Sequence, residues 1–307
     1  MRVLVVGDVI IDRYTHGTRR GISAETPTIV ANLTKEEMFV GGAGLVVRNL
    51  LRLENLVALL TVGRSRDLNL AFRHSADPLT AYERSRLIVD QIETEGWDFT
   101  EKHRYFVEQY KLLQYDTTNK GKHDKYSESA FKKRFELELT DDTETVIVCD
   151  NRHGVISANL AKFIVKRCKE RGKKLLVDSQ VSQSASNHDW YKGADYIFLN
   201  EIELDHAVKK AWKKPGATTL EIARMHLMAD IVYKRGERGA VLQRSKPQPS
   251  EGFKVDAVDT CGAGDAFLAA FAHSGGDLEF ANRWAALSTT YKGTIVPRLQ
   301  DLEKVKR

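Results

Sequence analysis

Short β-branched runs recur along this 307-residue chain, and stretches of helical periodicity separate them. The runs are Arg2–Val6, Val57–Val62, Val146–Cys149, Lys174–Val177, Tyr196–Leu199 and Ile231–Lys234. Between them, Ala158–Cys168 sets Leu160, Ala161, Ile164, Val165 and Cys168 on one helical face; Glu201–Ala211, Thr219–Met228 and Leu278–Tyr291 also read as helices. A strand that feeds a helix rejoins its sheet by a right-handed crossover. The alternation therefore predicts an α/β fold, with a mostly parallel central sheet flanked by helices on both faces.

Two stretches break that rhythm. Pro27–Val40 alternates like a strand soon after Gly17 and Gly21, and His103–Tyr115 is aromatic and strand-like; neither leads into a clear crossover helix. They predict a small antiparallel sheet that projects from the body, either covering a site or pairing with a second subunit. The plainer alternative is a pair of edge strands of the main sheet. Asn119–Glu128 and Arg244–Gly252 read as polar loops, and Arg64–Pro78 carries no clear pattern.

Bulk properties narrow the function. The net charge of +5 comes from 47 Lys+Arg set among 42 Asp+Glu, too mild and too interspersed for a nucleic-acid surface and better suited to a small anionic substrate. Cys149, Cys168 and Cys261 are few and far apart, so no disulfide framework or zinc spacing follows, and a cytoplasmic location is expected. The apolar run Val3–Val6 is far too short to span a membrane and reads as a buried first strand.

Four clusters could carry chemistry. Gly262-Ala263-Gly264-Asp265 places a carboxylate where a glycine turn becomes a helix. The turn amides would face an anion such as phosphate. An acid there is useful if it takes a proton from a hydroxyl that attacks the phosphate; a plain capped helix is the other reading. Asp8 and Asp12 follow the first strand, where open α/β sheets collect ligands. Gly41-Gly42-Ala43-Gly44 lets the chain pass close to a ligand or pack tightly on a strand. Asn200 and Glu203 follow the strand Tyr196–Leu199 at capping-box spacing, and could instead organise magnesium, water and phosphate.

In this order the clusters resemble the ribokinase-like (PfkB) carbohydrate kinases. D-T-C-G-A-G-D-A-F at Asp259–Phe267 is similar to the family's C-terminal signature, and N-E-I-E at Asn200–Glu203 to its N-x-x-E motif. Within the family the nearest likeness is to the kinases of D-glycero-β-D-manno-heptose 7-phosphate. It rests on Val3–Tyr14, I-S-A-E-T-P at Ile22–Pro27, Gly41–Gly44 with Asn49, Lys102 and Arg104 before the run ending at Asp116, and Lys292–Pro297.

The resemblance implies a ribokinase-like fold with a small β lid. It implies one kinase domain over 1–307, lid strands at about 13–40 and 103–116, and no adenylyltransferase domain. The implied reaction moves the γ-phosphate of ATP to a sugar hydroxyl, with Mg2+ and with room for a monovalent cation such as K+. Asp265 would be the general base, and the amides of Gly262, Ala263 and Gly264 the anion hole. Asp8, Asp12, Gly41, Gly42, Asn49 and Arg104 would lie on the sugar side. Asn200, Glu203, Lys234, Gly236, Gly239 and Asp178 would serve nucleotide and phosphates, with Glu203 reaching magnesium through water. The partners implied are a small sugar or sugar phosphate and a second copy of the chain joined through the lid strands, with no nucleic acid and no membrane.

The chain also departs from the family. Leu45 stands where the family usually has Asn, and a leucine offers a sugar no hydrogen bond. Val107-Glu108-Gln109-Tyr110 replaces a polar, basic segment of the heptose kinases. Both changes fall on the acceptor side or in the lid. Other acceptors (fructose phosphate, ribose, a nucleoside) and a degenerate fold that senses a sugar phosphate or nucleotide stay open beside heptose 7-phosphate.

Overall fold

The computed structural model describes residues 1–64, 68–108, 110–118, 121–181, 186–209, 211–212 and 215–306. Gln109, in the departing lid segment, lies outside them, as do Asn119 and Lys120. The chain runs β1 (Arg2–Gly7), β2 (Val9–Ile22), β3 (Ile29–Gly42), α1 (Ala43–Arg52), β4 (Leu56–Val62), α2 (Leu68–His74), α3 (Ala81–Ser85) and β5 (Leu87–Ile92). It continues through β6 (Thr100–Val107), β7 (Tyr110–Thr117), α4 (Lys125–Glu138), β8 (Thr143–Asp150), α5 (Ala158–Glu170), β9 (Lys174–Ser179), β10 (Tyr196–Leu199), α6 (Glu201–Val208) and α7 (Thr219–Leu227). It closes with β11 (Asp230–Lys234), β12 (Ala240–Gln243), β13 (Pro247–Ser250), α8 (Ala263–His273) and α9 (Leu278–Ser288).

The main sheet has the order β13-β12-β11-β10-β9-β8-β1-β4-β5. From β11 to β5 every neighbouring pair is parallel; β12 and β13 add an antiparallel edge. Strand β1 shows why the sheet is buried on both faces. Val3 and Val5 pack with α1, α8 and α9, while Leu4 and Val6 pack with α4 to α7. A strand covered on both sides reads as one continuous apolar run, as V-L-V-V does. Helix α5 buries the expected face, Leu160, Ala161, Ile164 and Cys168, and Ser157 caps it by accepting from the Leu160 amide at 3.2 Å.

The irregular stretches form a second sheet of order β3-β2-β6-β7. Its outer pairs are antiparallel and its central pair, β2 with β6, is parallel. It starts earlier than the sequence suggests, because β2 leaves the end of β1 and carries Asp12 within it.

Two expected loops are corrected. Within Arg244–Gly252, Pro247–Ser250 pairs with β12 as the outermost strand, a place where proline's missing N–H costs no ladder bond. Within Asn119–Glu128, Asp124 accepts from the Ser127 amide at 2.7 Å and starts α4 at Lys125. Its polar first turn hides the helix, whose buried contacts are Phe131 and Phe135 further along.

Candidate functional site

Asp8, Asp178, Asn200 and Lys234 all stand at or just beyond the carboxyl ends of β1, β9, β10 and β11. Strand order reverses around β1, whose neighbours are β8 and β4. Ligands of open α/β sheets bind at such a reversal. The signature turn reaches this edge from the other side, through the N-terminus of α8.

Gly262 is the N-cap of α8 with φ of 82°, and a side chain there would collide with Leu45 Cδ2. Only glycine combines that angle with that contact. The conformation starts α8 at Ala263 and sets Asp265 in its first turn. Burial raises the Asp265 carboxyl from 3.8 to about 7; Asp178 and Asp12 add to the rise, and Lys234 and Lys102 oppose it. A base with a pKa near 7 is matched to taking a proton at neutral pH.

Lys234 anchors the opposite wall. Its Nζ donates to Asp178 Oδ2 at 2.6 Å and lies 3.9 Å from where a Cβ on Gly264 would be. Burial works against the ammonium, yet the charges of Asp178, Glu203 and Asp265 outweigh it and raise the Lys234 pKa. Glu203 is 4% exposed and is itself raised to about 7, by burial and by Asp178 against Lys234. Its Oε2 accepts from the Asn200 amide at 2.7 Å, and Asn200 Oδ1 accepts from the Glu203 amide at 2.9 Å. Asn200 and Glu203 thus form the capping box expected from their spacing. Gly236 and Gly239 sit one turn beyond Lys234; a Cβ on Gly239 would collide with Ser250 O, so this glycine lets the β11–β12 turn press onto the 250–252 backbone.

Toward the small sheet, Asp12 is ion-paired with Arg104 across β2 and β6. Asp12 Oδ2 lies only 2.7 Å from where a Cβ on Gly41 would stand, so glycine at 41 makes room for the carboxylate. Gly42, at φ 57°, brings the backbone against Asp8 O, which also accepts from the Ala43 amide at 2.9 Å.

Two expected sugar contacts are differently placed. Asp8 is 1% exposed, and its oxygens accept from the amides of His153 (3.3 Å) and Val155 (3.1 Å). Burial and neighbouring Asp150 raise it to about 7. It ties β1 to the 151–155 loop rather than facing solvent. Asn49 is equally buried: its Nδ2 donates to Leu45 O and its Oδ1 accepts from the Trp284 indole at 2.8 Å, linking α1 to α9.

Between the small sheet and the signature turn lies a cavity of about 1010 Å³. Arg104, Lys35, Lys111 and Lys292 bring positive charge to it against the carboxylates of Glu37 and Asp259, with Lys35 ion-paired to Glu37 at 2.7 Å; Tyr14, Phe39 and Phe106 give it aromatic walls, and Cys261 borders it next to the glycine turn. Arg104 Cζ lies 5.2 Å from the Tyr14 ring centre. Sequence reasoning missed Lys35, Lys111 and Asp259. Asp259 accepts from the Cys261 amide at 2.9 Å and from the Gly293 amide at 3.1 Å, clamping the turn to the 292–295 wall. The two lysines come from separate strands, β3 and β7, so no local spacing could reveal them. Asp259 was visible within the signature but had no partner until the fold supplied one.

The fold is that of a ribokinase-like α/β protein with a small second sheet. Residues 118–301 match the family model described as pfkB family carbohydrate kinase, and the chain belongs to that family. The bifunctional protein HldE of Desulfatibacillum aliphaticivorans is 30% identical over 97% of this chain and 60% of its own length. The chain spans about three-fifths of the length of the curated relatives it matches. Escherichia coli phosphofructokinase-2, solved in complex with potassium, superposes with a TM-score of 0.74 at 16% identity, over 99% of this chain and 97% of its own. Arabidopsis thaliana ribokinase, complexed with ribose and ATP, gives 0.70 at 19% identity, over 98% and 97%. These two structures bear on the fold.

Proposed function

We propose that the protein transfers the γ-phosphate of ATP to a hydroxyl of a sugar phosphate, with the anomeric hydroxyl of D-glycero-D-manno-heptose 7-phosphate as the acceptor and the 1,7-bisphosphate as product. One observation carries the reading: a carboxylate tuned to about 7 stands on a glycine anion turn beside a cavity furnished with Arg104, Lys35, Lys111 and Lys292. Lys111 and Lys292, with Lys35 and Arg104 beside their acid partners, suit an acceptor that already bears phosphate, since lysine and arginine bind phosphate by charge and donated N–H groups. The choice of sugar rests on the resemblance of Val3–Tyr14, Ile22–Pro27 and Lys292–Pro297 to the heptose 7-phosphate kinases.

In this reading Asp12 and Arg104 hold the sugar, and Asp265 takes the proton of the attacking hydroxyl. The amides of Gly262 and Gly264, with the Lys234 ammonium, face the charge that develops on the transferring phosphoryl group, while the Ala263 amide, also expected there, donates to Thr260 O at 3.3 Å. The small sheet excludes water, so the nucleotide is not lost to hydrolysis. The acid set fits magnesium through water: Glu203 spends one oxygen on the Asn200 amide, and Asp178 and Glu203 share a single lysine. Magnesium bound with the nucleotide would neutralise phosphate charge. The lid also suits a homodimer, because Tyr110 and Leu113 on the β7 edge strand are 76% and 55% exposed. Among the described residues no helix is long and apolar enough to cross a membrane.

The test is a panel of acceptors with ATP and magnesium: heptose 7-phosphate, fructose phosphates, ribose and nucleosides. Turnover of heptose 7-phosphate well above the others is expected. Preference for an unphosphorylated sugar would overturn the role given to the cationic cavity.

A further inference from the structure

The 293–296 segment forms one wall of the cavity, and it is held by a buried ionic hub rather than by regular structure. Arg48, on α1 six residues beyond Gly42, is 1% exposed. Its Nη1 donates to Thr294 O at 2.9 Å, and its Nη2 donates to Asp77 O at 3.0 Å and to the Asp77 carboxylate. Asp77 Oδ2 also accepts from the Val296 amide at 3.0 Å, and Arg52 Nη1 donates to Val296 O at 3.3 Å. Gly293, at the other end, is held by Asp259. The neighbouring Ala76 amide donates to Met38 O at 2.8 Å, so the same hub grips the root of β3.

The wall packs beside the signature turn. Thr294 Cγ2 lies 3.4 Å from where a Cβ on Gly262 would be, with Leu45 on the same side. Lys292, Gly293 and Ile295 line the cavity. A displacement of 293–296 would therefore move the floor of the anion turn and the cavity lining together.

A buried ion pair is a weak source of stability, since apolar replacements of similar volume are often neutral or stabilising. What the guanidinium provides is a rigid planar fork that fixes two backbone segments at once. We propose that Arg48 and Asp77 are positioning residues for phosphoryl transfer, setting the 293–296 wall and, through it, the Gly262 turn that carries Asp265. The proposal rests on the kinase reading for its kinetic consequence, but the mechanical coupling can be read without it.

The experiment compares the full chain with Arg48→Met, Arg48→Lys and Asp77→Asn. It measures kcat, both KM values and hydrogen–deuterium exchange of peptides covering 258–264 and 292–297, with thermal midpoints alongside. A misplacement of about 1 Å far from the chemistry can cost ~100-fold in rate. Arg48→Met is expected to lower kcat by about 10- to 100-fold with nucleotide KM within about twofold, and to speed exchange in both segments together. Arg48→Lys keeps the charge and loses the fork, so it should fail to rescue. If Arg48→Met does not fold, Asp77→Asn decides, through the lost grip on Val296. Full activity and unchanged exchange in Arg48→Lys, or faster exchange at 292–297 with 258–264 unaltered, would overturn the proposal. If the wild type phosphorylates no sugar, the kinase reading fails while the exchange data still decide the coupling.

Discussion

Replacing Asp265 by Asn should abolish most activity and stabilise the protein, the second effect growing with pH. The folded carboxyl lies at about 7, against an ordinary 3.8. Between those values the folded chain keeps a proton that the unfolded chain has released. Stability is therefore full below 3.8, falls as pH rises, and levels off above 7. At ~1.4 kcal/mol for each tenfold change, the wild type gives up about 4 kcal/mol at pH 8 and about 2 kcal/mol at pH 5. At about 2 °C per kcal/mol for a chain of this size, Asp265→Asn should gain ~8 °C in Tm at pH 8 but only ~4 °C at pH 5. The packing cost of an amide at this site does not vary with pH, so the difference between the two gains isolates the buried charge. Scanning calorimetry at the two pH values, paired with coupled-assay kcat, measures both effects. General-base loss should cost about 10²- to 10⁴-fold in kcat. An equal Tm gain at both pH values would refute the electrostatic reasoning, and retained kcat would refute the base.

The wild-type kcat should fall on the acid side with a midpoint near pH 7, as Asp265 takes up its proton; a flat profile down to pH 5 would exclude it. Lys234→Met removes the ammonium that opposes the Asp265 and Glu203 shifts, so that acid limb should move upward by about one pH unit or more, as a pH–rate series would show. Gly262→Ala drives a Cβ toward Leu45 at a positive φ, and should cost about 1–3 kcal/mol in urea unfolding together with at least ~10-fold in kcat. Unchanged values for both would show that the turn is freer than its geometry indicates.

Much of the fold was legible because it is local. V-L-V-V at β1 and the single apolar face of α5 carry their periods in a few residues, and the small sheet announced itself by strand patterns lacking a crossover helix. Asp124 hid the start of α4, since a capping acid before a polar first turn looks like a loop until its hydrogen bonds close. The prolines of β13 argue against a strand everywhere except at the outer edge, and being outermost is a property of the whole sheet.

The site divides in the same way. By itself the sequence determined a glycine turn into a helix with Asp265 in its first turn, a capping box at Asn200 and Glu203, and glycines at 41 and 42, because turn and cap chemistry is set by neighbouring residues. Tertiary structure alone decided that Lys234 serves Asp178, that Asp8 and Asn49 turn inward to backbone and Trp284, and that Lys35, Lys111 and Lys292 meet in one cavity. It also decided that Arg48 holds Thr294, 246 residues away. The reason is physical: a charge has a meaning only relative to what surrounds it, and burial and distant partners exist only once the chain has closed on itself.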